Sequence, residues 1–188
     1  MRDINIKHTD IDTPKENRNI IDYYHYWKHE AILADLDKKR HNFSILCCNL
    51  ANDFNISSTI RNSNAFLAKE VIIWGSKQYD RRGTVGTHNY THFKHFKEES
   101  FSELLDYIGE SKLVGIDDNP NPIDIKTYSW PKAHFVMVFG QEQIGIPSEV
   151  KNACSEFVYI PQYGSVRSLN VACASAISMY DYCSKLQC

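Results

Sequence analysis

The sequence contains no apolar run that approaches the ~20 residues needed for a membrane-spanning helix. Its N-terminal segment, MRDINIKHTDIDTPKENRN, is polar and lacks the apolar stretch of a secretory signal. The last four residues, KLQC, do not match a prenylation box. We therefore expect a cytoplasmic protein that has no membrane partner.

Cysteine is present at six positions, but never as a C-x-x-C pair. Cys47 and Cys48 are adjacent on an expected strand, so their side chains should point to opposite faces of a sheet. We interpret most of the cysteines as small buried hydrophobes in a reducing compartment. His88, His92 and His95 lack nearby cysteine or acidic partners, and we expect no metal site.

The sequence also lacks a strong charge of either sign, since the formal net charge is −2. Binding to a nucleic acid would therefore have to rest on local basic patches. Two such clusters occur, one at residues 38–41 and one spread over residues 77–97. Each cluster viewed alone is more simply explained as a solvated surface.

Apolar strand-like runs alternate with helical patterns along most of the chain. Strands are expected near residues 43–50, 70–75, 112–116, 133–139 and 157–160. Helices are expected at residues 19–40, from residue 56, at 100–110 and at 168–185, and Ser100 and Glu103 should form a capping box for the third of them. Residues 77–97 are expected to form a functional loop region with one short strand, and residues 117–122 a turn. This alternation predicts an α/β fold with a mostly parallel sheet flanked by helices. We place an N-terminal extension containing one helix at residues 1–41 and the α/β domain at residues 42–188.

Two of the expected strands run directly into loops of small and polar residues. The loops are Gly140–Ile146 (GQEQIGI) and Ile160–Val171 (IPQYGSVRSLNV). Ligands bind at such strand ends in open α/β sheets. The first loop is neither a phosphate-binding Walker A loop nor a dinucleotide fingerprint. Its two glycines are also explained by a tight turn alone.

A third motif follows the first expected strand. Asn55 and Arg61 lie six residues apart at the start of a predicted helix. From the residues alone, Asn55 is a suitable N-cap and Arg61 a surface arginine.

Together, these three motifs resemble those of the SpoU/TrmH family of SPOUT RNA methyltransferases. In that family an apolar strand precedes G-[NQST]-E-x-x-G-[IL], and I-P-x-x-G-x-x-x-S-L-N-V leads into a helix. The resemblance covers residue 43 to the C-terminus and implies a deep C-terminal trefoil knot. It also implies a homodimer, S-adenosylmethionine as methyl donor, and no metal.

The resemblance assigns roles to individual residues. It implies that the cofactor is bound by Gly140, Ile160 and Leu169. It implies that catalysis involves Arg61, Asn55, Glu142, Ser168 and Asn170. It implies that RNA is contacted by Arg61 and Arg167. From the residues alone, Ser168 is also a possible N-cap of the last helix, and Glu142 a solvated charge.

In the family, the arginine at the position of Arg61 lies beside the ribose 2′-hydroxyl that attacks the methyl group. Arginine is a weak base because it is effectively always protonated. Two roles remain open for Arg61: a base assisted by the substrate phosphate, or a stabiliser of phosphate and oxyanion charge.

The expected activity is S-adenosylmethionine-dependent 2′-O-methylation of a ribose in RNA. The wording of the last motif is most similar to tRNA guanosine-18 type enzymes, which favours tRNA as the substrate. The alternatives are an rRNA 2′-O-methyltransferase and a catalytically silent RNA-binding relative. The sequence leaves the target nucleotide and the role of residues 1–41 open.

Overall fold

The computed structural model describes residues 18–48, 50, 52–75, 79–118, 121–141 and 143–186. The chain divides into two compact units, Met1–Arg40 and His41–Cys188. Within the described residues, no helix is both long and apolar enough to span a membrane.

The first unit contains a 3₁₀ turn (Asp22–Tyr24) and helix α1 (His29–Asp37). The prediction of one continuous helix over residues 19–40 is therefore wrong. Lys28 is extended, with ψ of 153°, and separates the two pieces. The Arg18 guanidinium holds the intervening turn, since it donates to the carbonyl oxygens of His25 at 2.7 Å and Trp27 at 2.8 Å.

The second unit is built on a sheet whose described strands number seven. These are β1 (Phe43–Cys48), β2 (Val71–Trp74), β3 (Phe93–Phe96), β4 (Lys112–Ile116), β5 (Ile123–Asp124), β6 (Phe135–Phe139) and β7 (Glu156–Tyr159). All pairings among these strands are parallel, in the order β3-β2-β1-β6-β4-β7-β5. The predicted α/β fold with a parallel sheet is confirmed.

Helices and short turns connect these strands. The helices are α2 (Asp53–Ala65), α3 (Arg81–Thr84), α4 (Phe101–Ile108), α5 (Ser148–Ala153) and α6 (Val171–Lys185). Two 3₁₀ turns lie at Thr87–Tyr90 and Glu98–Ser100. The predicted loop region over residues 77–97 thus contains, in its described part, a helix and a 3₁₀ turn besides the expected short strand. The trefoil knot stays a prediction from the resemblance.

The sheet separates two hydrophobic clusters. One includes residues of α2 and α6 together with Cys47, and the other includes residues of α4 and α5 together with Cys48. The prediction that these cysteines point to opposite faces is confirmed. Strands β1 and β6 are buried along their whole length, which explains their continuous apolar runs. Burial raises the pKa of the Cys47 thiol to about 12, so that thiol stays protonated.

Three predicted helix starts differ from the observed ones. Helix α2 is capped by Asn52, whose side chain accepts a hydrogen bond from the Phe54 amide at 2.9 Å, and not by Asn55. Helix α6 is capped by Asn170 and not by Ser168. The predicted capping box at the start of α4 does not form in the described structure, because the Ser100 side chain makes no capping hydrogen bond there.

The strand order reverses within the sheet, and this reversal positions a pocket. The chain passes outward from β1 to β2 and β3, then crosses to β4 on the other side of β1. Strand β6 is later inserted between β1 and β4. The carboxyl ends of β4, β6 and β7 therefore meet at one edge of the sheet, where α/β folds bind ligands.

Candidate active site

A cavity of about 640 Å³ lies at the carboxyl edge of β4, β6 and β7. This volume is in the range of small-molecule sites. Gly140 follows β6, Ile160 follows β7, and Leu169 lies near the end of the following loop; all three line the cavity. The structure thus brings together the three residues for which the sequence predicts cofactor binding. Arg167 and Ser168 line the same cavity.

The Gly140–Ile146 loop is closed by its own backbone. The amides of Gln141 and Gly145 each donate to the other's carbonyl oxygen, at 2.9 and 2.8 Å. Gly145 has φ of +71°, in the left-handed region that favours glycine. A Cβ atom on Gly140 would lie 2.1 Å from the Gly145 carbonyl carbon. Both glycines are therefore required by the turn, whatever the loop binds.

Asp117, directly after β4, fixes this loop from outside. Its carboxylate accepts a hydrogen bond from the Ile146 amide at 3.4 Å and lies 3.3 Å from Lys151 Nζ. Burial, with the Asp117 charge adding to it, raises the pKa of the nearby Cys154 thiol to about 12. Asp117 and its neighbour Asp118 also line the cavity.

Sequence reasoning missed this role of Asp117. It interpreted residues 117–122 as a turn and nothing more. A usable signal was present, because Asp117 and Asp118 form a polar pair directly after a strand that shares its edge with β6 and β7.

Asn170 links the last loop to the first motif. Its Oδ1 accepts hydrogen bonds from the amides of Ala172 at 2.9 Å and Cys173 at 3.3 Å, which caps α6. Its Nδ2 donates to Asn55 Oδ1 at 3.0 Å, across 115 residues of sequence. One side chain therefore both starts a helix and contacts a predicted catalytic residue.

A second link joins the same two helices. Asn62 Nδ2 donates to the carbonyl oxygen of Ala172 at 2.8 Å and to Ser175 Oγ at 3.0 Å. Because Asn55 and Asn62 are seven residues apart, they lie on one face of α2, and that face packs against α6.

The remaining predicted residues do not all reach the cavity. Arg61 is exposed on α2, and neither Arg61 nor Asn55 is among the described residues that line the cavity. Asn55 is connected to the cavity wall through Asn170, which follows Leu169. Glu142 lies outside the described residues.

The histidines of the middle segment have separate partners. His88 Nδ1 lies 2.6 Å from Thr84 Oγ1, and His95 Nε2 lies 2.8 Å from the Gly75 carbonyl oxygen. Within the part of the chain that the structure describes, no group of three or more His, Cys, Asp or Glu residues is placed to hold a metal ion.

Curated relatives of this chain are RNA methyltransferases by name. The tRNA (guanosine(18)-2'-O)-methyltransferase TARBP1 of Mus musculus is 29% identical over 86 residues, which is 43% of this chain and 5% of that protein. The tRNA (guanosine(18)-2'-O)-methyltransferase of Borreliella burgdorferi is 28% identical over 137 residues, which is 71% of this chain and 62% of that protein. The chain thus spans less than two thirds of either relative.

Solved structures show the same fold. The Aquifex aeolicus TrmH/SpoU tRNA modifying enzyme matches with a TM-score of 0.72 at 22% identity, covering 85% of this chain and 84% of that one. The SpoU methyltransferase AviRb from Streptomyces viridochromogenes, in complex with the cofactor AdoMet, matches with a TM-score of 0.70 at 23% identity. That match covers 79% of this chain and 59% of AviRb.

The family assignment rests on the sequence as a whole. Residues 42–180, most of the chain, match the family model described as SpoU rRNA Methylase family. The matched segment contains all three motifs described above and the whole cavity. The resemblance inferred from the motifs is confirmed, and the chain belongs to the SpoU rRNA Methylase family.

Proposed function

We propose that this protein transfers the methyl group of S-adenosylmethionine to the 2′-oxygen of a ribose in RNA, with tRNA of the guanosine-18 type as the preferred substrate. The observation that carries this proposal is the cavity at the carboxyl edge of β4, β6 and β7, walled by Gly140, Ile160 and Leu169. The names of the curated relatives support tRNA as the substrate.

The cavity fits the proposed cofactor in size and in donor set. Ile160 and Leu169 offer apolar walls for a flat adenine ring, and the strand ends offer backbone polar groups for its edge. Carboxylates of Asp117 and Asp118 and the cations Lys151 and Arg167 complement a ligand that carries charges of both signs. When bound, the cofactor supplies an electrophilic methyl group on a positively charged sulfur.

The reaction breaks the sulfur–methyl bond, forms an oxygen–methyl bond and releases the 2′-hydroxyl proton. We assign Arg61 to the reacting ribose and its phosphate, where its planar guanidinium suits both oxygens. Asn55, held by Asn170, is proposed to position the first turn of α2 beside the loop that carries Ser168. Glu142 is proposed to orient Arg61, and Arg167 to hold an RNA phosphate.

We further propose a homodimer, formed in part by α6. One face of this helix is buried in its own unit, whereas Ile177 and Tyr180 are 39% and 65% exposed. A second copy would cover these apolar groups. Light scattering of the purified chain tests the dimer.

We also propose that residues 42–188 form the methyltransferase domain and residues 1–41 an N-terminal extension. The proposed location of the protein is the cytoplasm.

The activity is tested by incubating the protein with radiolabelled S-adenosylmethionine and separated tRNA and rRNA pools, followed by mass spectrometry of the digested nucleosides. We expect a 2′-O-methylated nucleoside from tRNA. Methyl transfer to rRNA alone would establish the rRNA alternative, and a methylated base would refute ribose chemistry. Binding of S-adenosylmethionine without transfer to either pool would identify a silent relative.

A further inference from the structure

Helix α2 has a solvent-facing stripe that its packing leaves open. Because an α-helix has 3.6 residues per turn, Phe54, Ser58, Arg61 and Ala65 lie along one side of it. Phe54, Arg61 and Ala65 are exposed, and Ser58 is half-buried. Phe54 is 49% exposed and lies two turns, or ~10 Å, from Arg61 along the helix axis. A large aromatic ring thus shares its surface with the predicted catalytic arginine.

Arg82 lies against this ring. Its guanidinium carbon is 5.8 Å from the centre of the Phe54 ring, and its side chain is 82% exposed. Asp80 fixes the guanidinium by accepting hydrogen bonds from Nη2 at 2.6 Å and from Nε at 3.1 Å. The ion pair offsets the charge of Arg82 but leaves its plane open to solvent.

The backbone holds the two side chains together. A Cβ atom on Gly83 would lie 2.6 Å from Ser57 Cβ, so only glycine allows α3 to approach α2 this closely. Ser57 Oγ donates to the Asp80 carbonyl oxygen at 2.7 Å, which ties the start of α3 to α2. The surface formed by Phe54 and Arg82, named here the α2–α3 shelf, is therefore held in place by contacts within the chain.

The shelf borders the predicted catalytic residues. Asn55, the next residue after Phe54, accepts a hydrogen bond from Asn170. An RNA strand whose ribose lies beside Asn55 and Arg61 would bring a neighbouring base to the same stripe of α2.

We propose that the α2–α3 shelf binds an unpaired nucleobase of the RNA, next to the ribose that is methylated. This inference rests on the proposed function. Aromatic rings and guanidinium planes are the groups on which proteins stack single-stranded bases, and such stacking tolerates any base. A phosphate contact fits less well, because Asp80 already occupies the Arg82 guanidinium.

The test compares RNA affinity among variants of the full chain. Phe54→Ala should weaken binding of the methylated RNA roughly 5- to 100-fold. Phe54→Trp should retain binding, because the stacking face is kept. Arg82→Lys should weaken binding although it keeps the charge, because lysine has no plane. Phe93→Ala, at a ring that is 39% exposed on the edge strand β3, is the matched control and should bind as wild type.

A spectroscopic signature separates stacking from a structural effect. RNAs carrying 2-aminopurine at single positions around the methylated nucleotide should show quenching at one position with the wild type, and no such quenching with Phe54→Ala. Calorimetry should give an unchanged affinity for S-adenosylmethionine in every variant. If Phe54→Ala does not fold, Phe54→Leu replaces it, and the wild-type quenching still decides.

Three results would each overturn the proposal that the shelf binds a nucleobase. These are an equal RNA affinity of wild type and Phe54→Ala, an equal loss of affinity in Phe93→Ala, and the absence of quenching at every labelled position. If Phe54→Ala loses binding to a protein partner and not to RNA, the shelf is a protein contact and the inference is wrong. Failure of the proposed function is recognised separately, since the wild type would then methylate no RNA. If wild type and Phe54→Ala methylate RNA equally well, the proposed function stands and only the role of the shelf is refuted.

Discussion

Replacement of Asn170 by aspartate separates two roles that one amide performs. The Oδ1 atom caps α6, and the Nδ2 atom donates to Asn55. Aspartate is as good an N-cap as asparagine, but it cannot donate and would place an anionic oxygen against Asn55 Oδ1. Asn170→Asp should therefore keep the helix and lose the link. Asn170→Ala should lose both.

The expected stability changes follow from the two contacts. Loss of the cap costs about 1 kcal/mol, and loss of an exposed hydrogen bond about another 1 kcal/mol. Asn170→Ala should thus lower the free energy of unfolding by about 2 kcal/mol, or roughly 4–8 °C in Tm for a chain of this size. In Asn170→Asp the cap persists and the negative charge favours the helix N-terminus, so the loss should stay within about 1 kcal/mol.

The activity of Asn170→Asp should fall steeply although its stability changes little, because the contact with Asn55 is lost. Misplacement of a catalytic group by about 1 Å can cost on the order of 10²-fold in rate, and Asn170→Asp should approach that loss in single-turnover methyl transfer to tRNA. Asn62→Ala is the matched control, because it removes the other link between α2 and α6 without touching Asn55. It should cost about 1 kcal/mol of stability with little change in rate. A wild-type rate in Asn170→Asp would refute a catalytic role for the Asn55–Asn170 contact.

Three further predictions test the site and the fold. Arg61→Ala should reduce the single-turnover rate by ~10²–10³ or more, while calorimetry shows an unchanged S-adenosylmethionine affinity. Arg61→Lys should restore little of the rate, and a near wild-type rate in Arg61→Ala would show that Arg61 is only a surface arginine. Gly140→Ala should abolish S-adenosylmethionine binding because its Cβ would collide with the Gly145 backbone, whereas Gly164→Ala, with no described atom within 4 Å of its Cβ, should bind normally. Burial lowers the pKa of His134, so the folded chain binds fewer protons than the unfolded chain and loses stability as the pH falls below about 6.5. The Tm should therefore drop between pH 7.5 and 5.5, and it should drop less in His134→Gln.

Glycine substitution at position 140 illustrates how the structure changes the reason behind an expectation. The resemblance alone suggests that a side chain at Gly140 would fill the space of the ligand. The structure gives a more direct cause for the loss of binding, because the Cβ would lie 2.1 Å from the backbone of the same loop and would distort the loop itself. Loss of cofactor binding in this variant is therefore evidence about the turn, and the apolar walls at Ile160 and Leu169 are better probes of the ligand.

The central part of the fold was predictable because its strands are buried on both faces. Strands β1 and β6 are continuous apolar runs, which is typical of strands buried on both faces. The helices that alternate with the strands along the chain indicate parallel pairing, because parallel strands need a crossover connection. Strand β5 was not predicted because two residues carry no periodic signal. Strand β3 was expected only as one short strand somewhere in residues 77–97, because three of its four residues are exposed and their burial shows no alternation.

The gathering of the cavity residues was predictable for a topological reason. Gly140 and Ile160 each follow a strand, and the carboxyl ends of parallel strands share one edge of a sheet. The place of Arg61 relative to the cavity was not predictable from motif spacing, because it depends on how α2 packs against α6. That packing includes side-chain hydrogen bonds and buried apolar contacts between residues more than 100 positions apart.

The two misassigned caps have a functional consequence. Had Asn55 capped α2, its side chain would accept from the backbone of its own helix; with Asn52 in that role, Asn55 meets Asn170 instead. Had Ser168 capped α6, Leu169 would lie in the first turn of the helix. With Asn170 as the cap, Leu169 stays in the loop and lines the cavity.

The cap of α6 is therefore expected to decide whether Leu169 stays in the cavity wall. In Asn170→Ala the nearest remaining capping side chain is Ser168, and extension of α6 toward it would withdraw Leu169 from the cavity wall. Asn170→Ala should then lose S-adenosylmethionine affinity in calorimetry, whereas Asn170→Asp, which keeps the cap, should bind within a few-fold of wild type. Equal affinities in the two variants would show that the start of α6 does not control the wall, and that Leu169 is held by the loop itself.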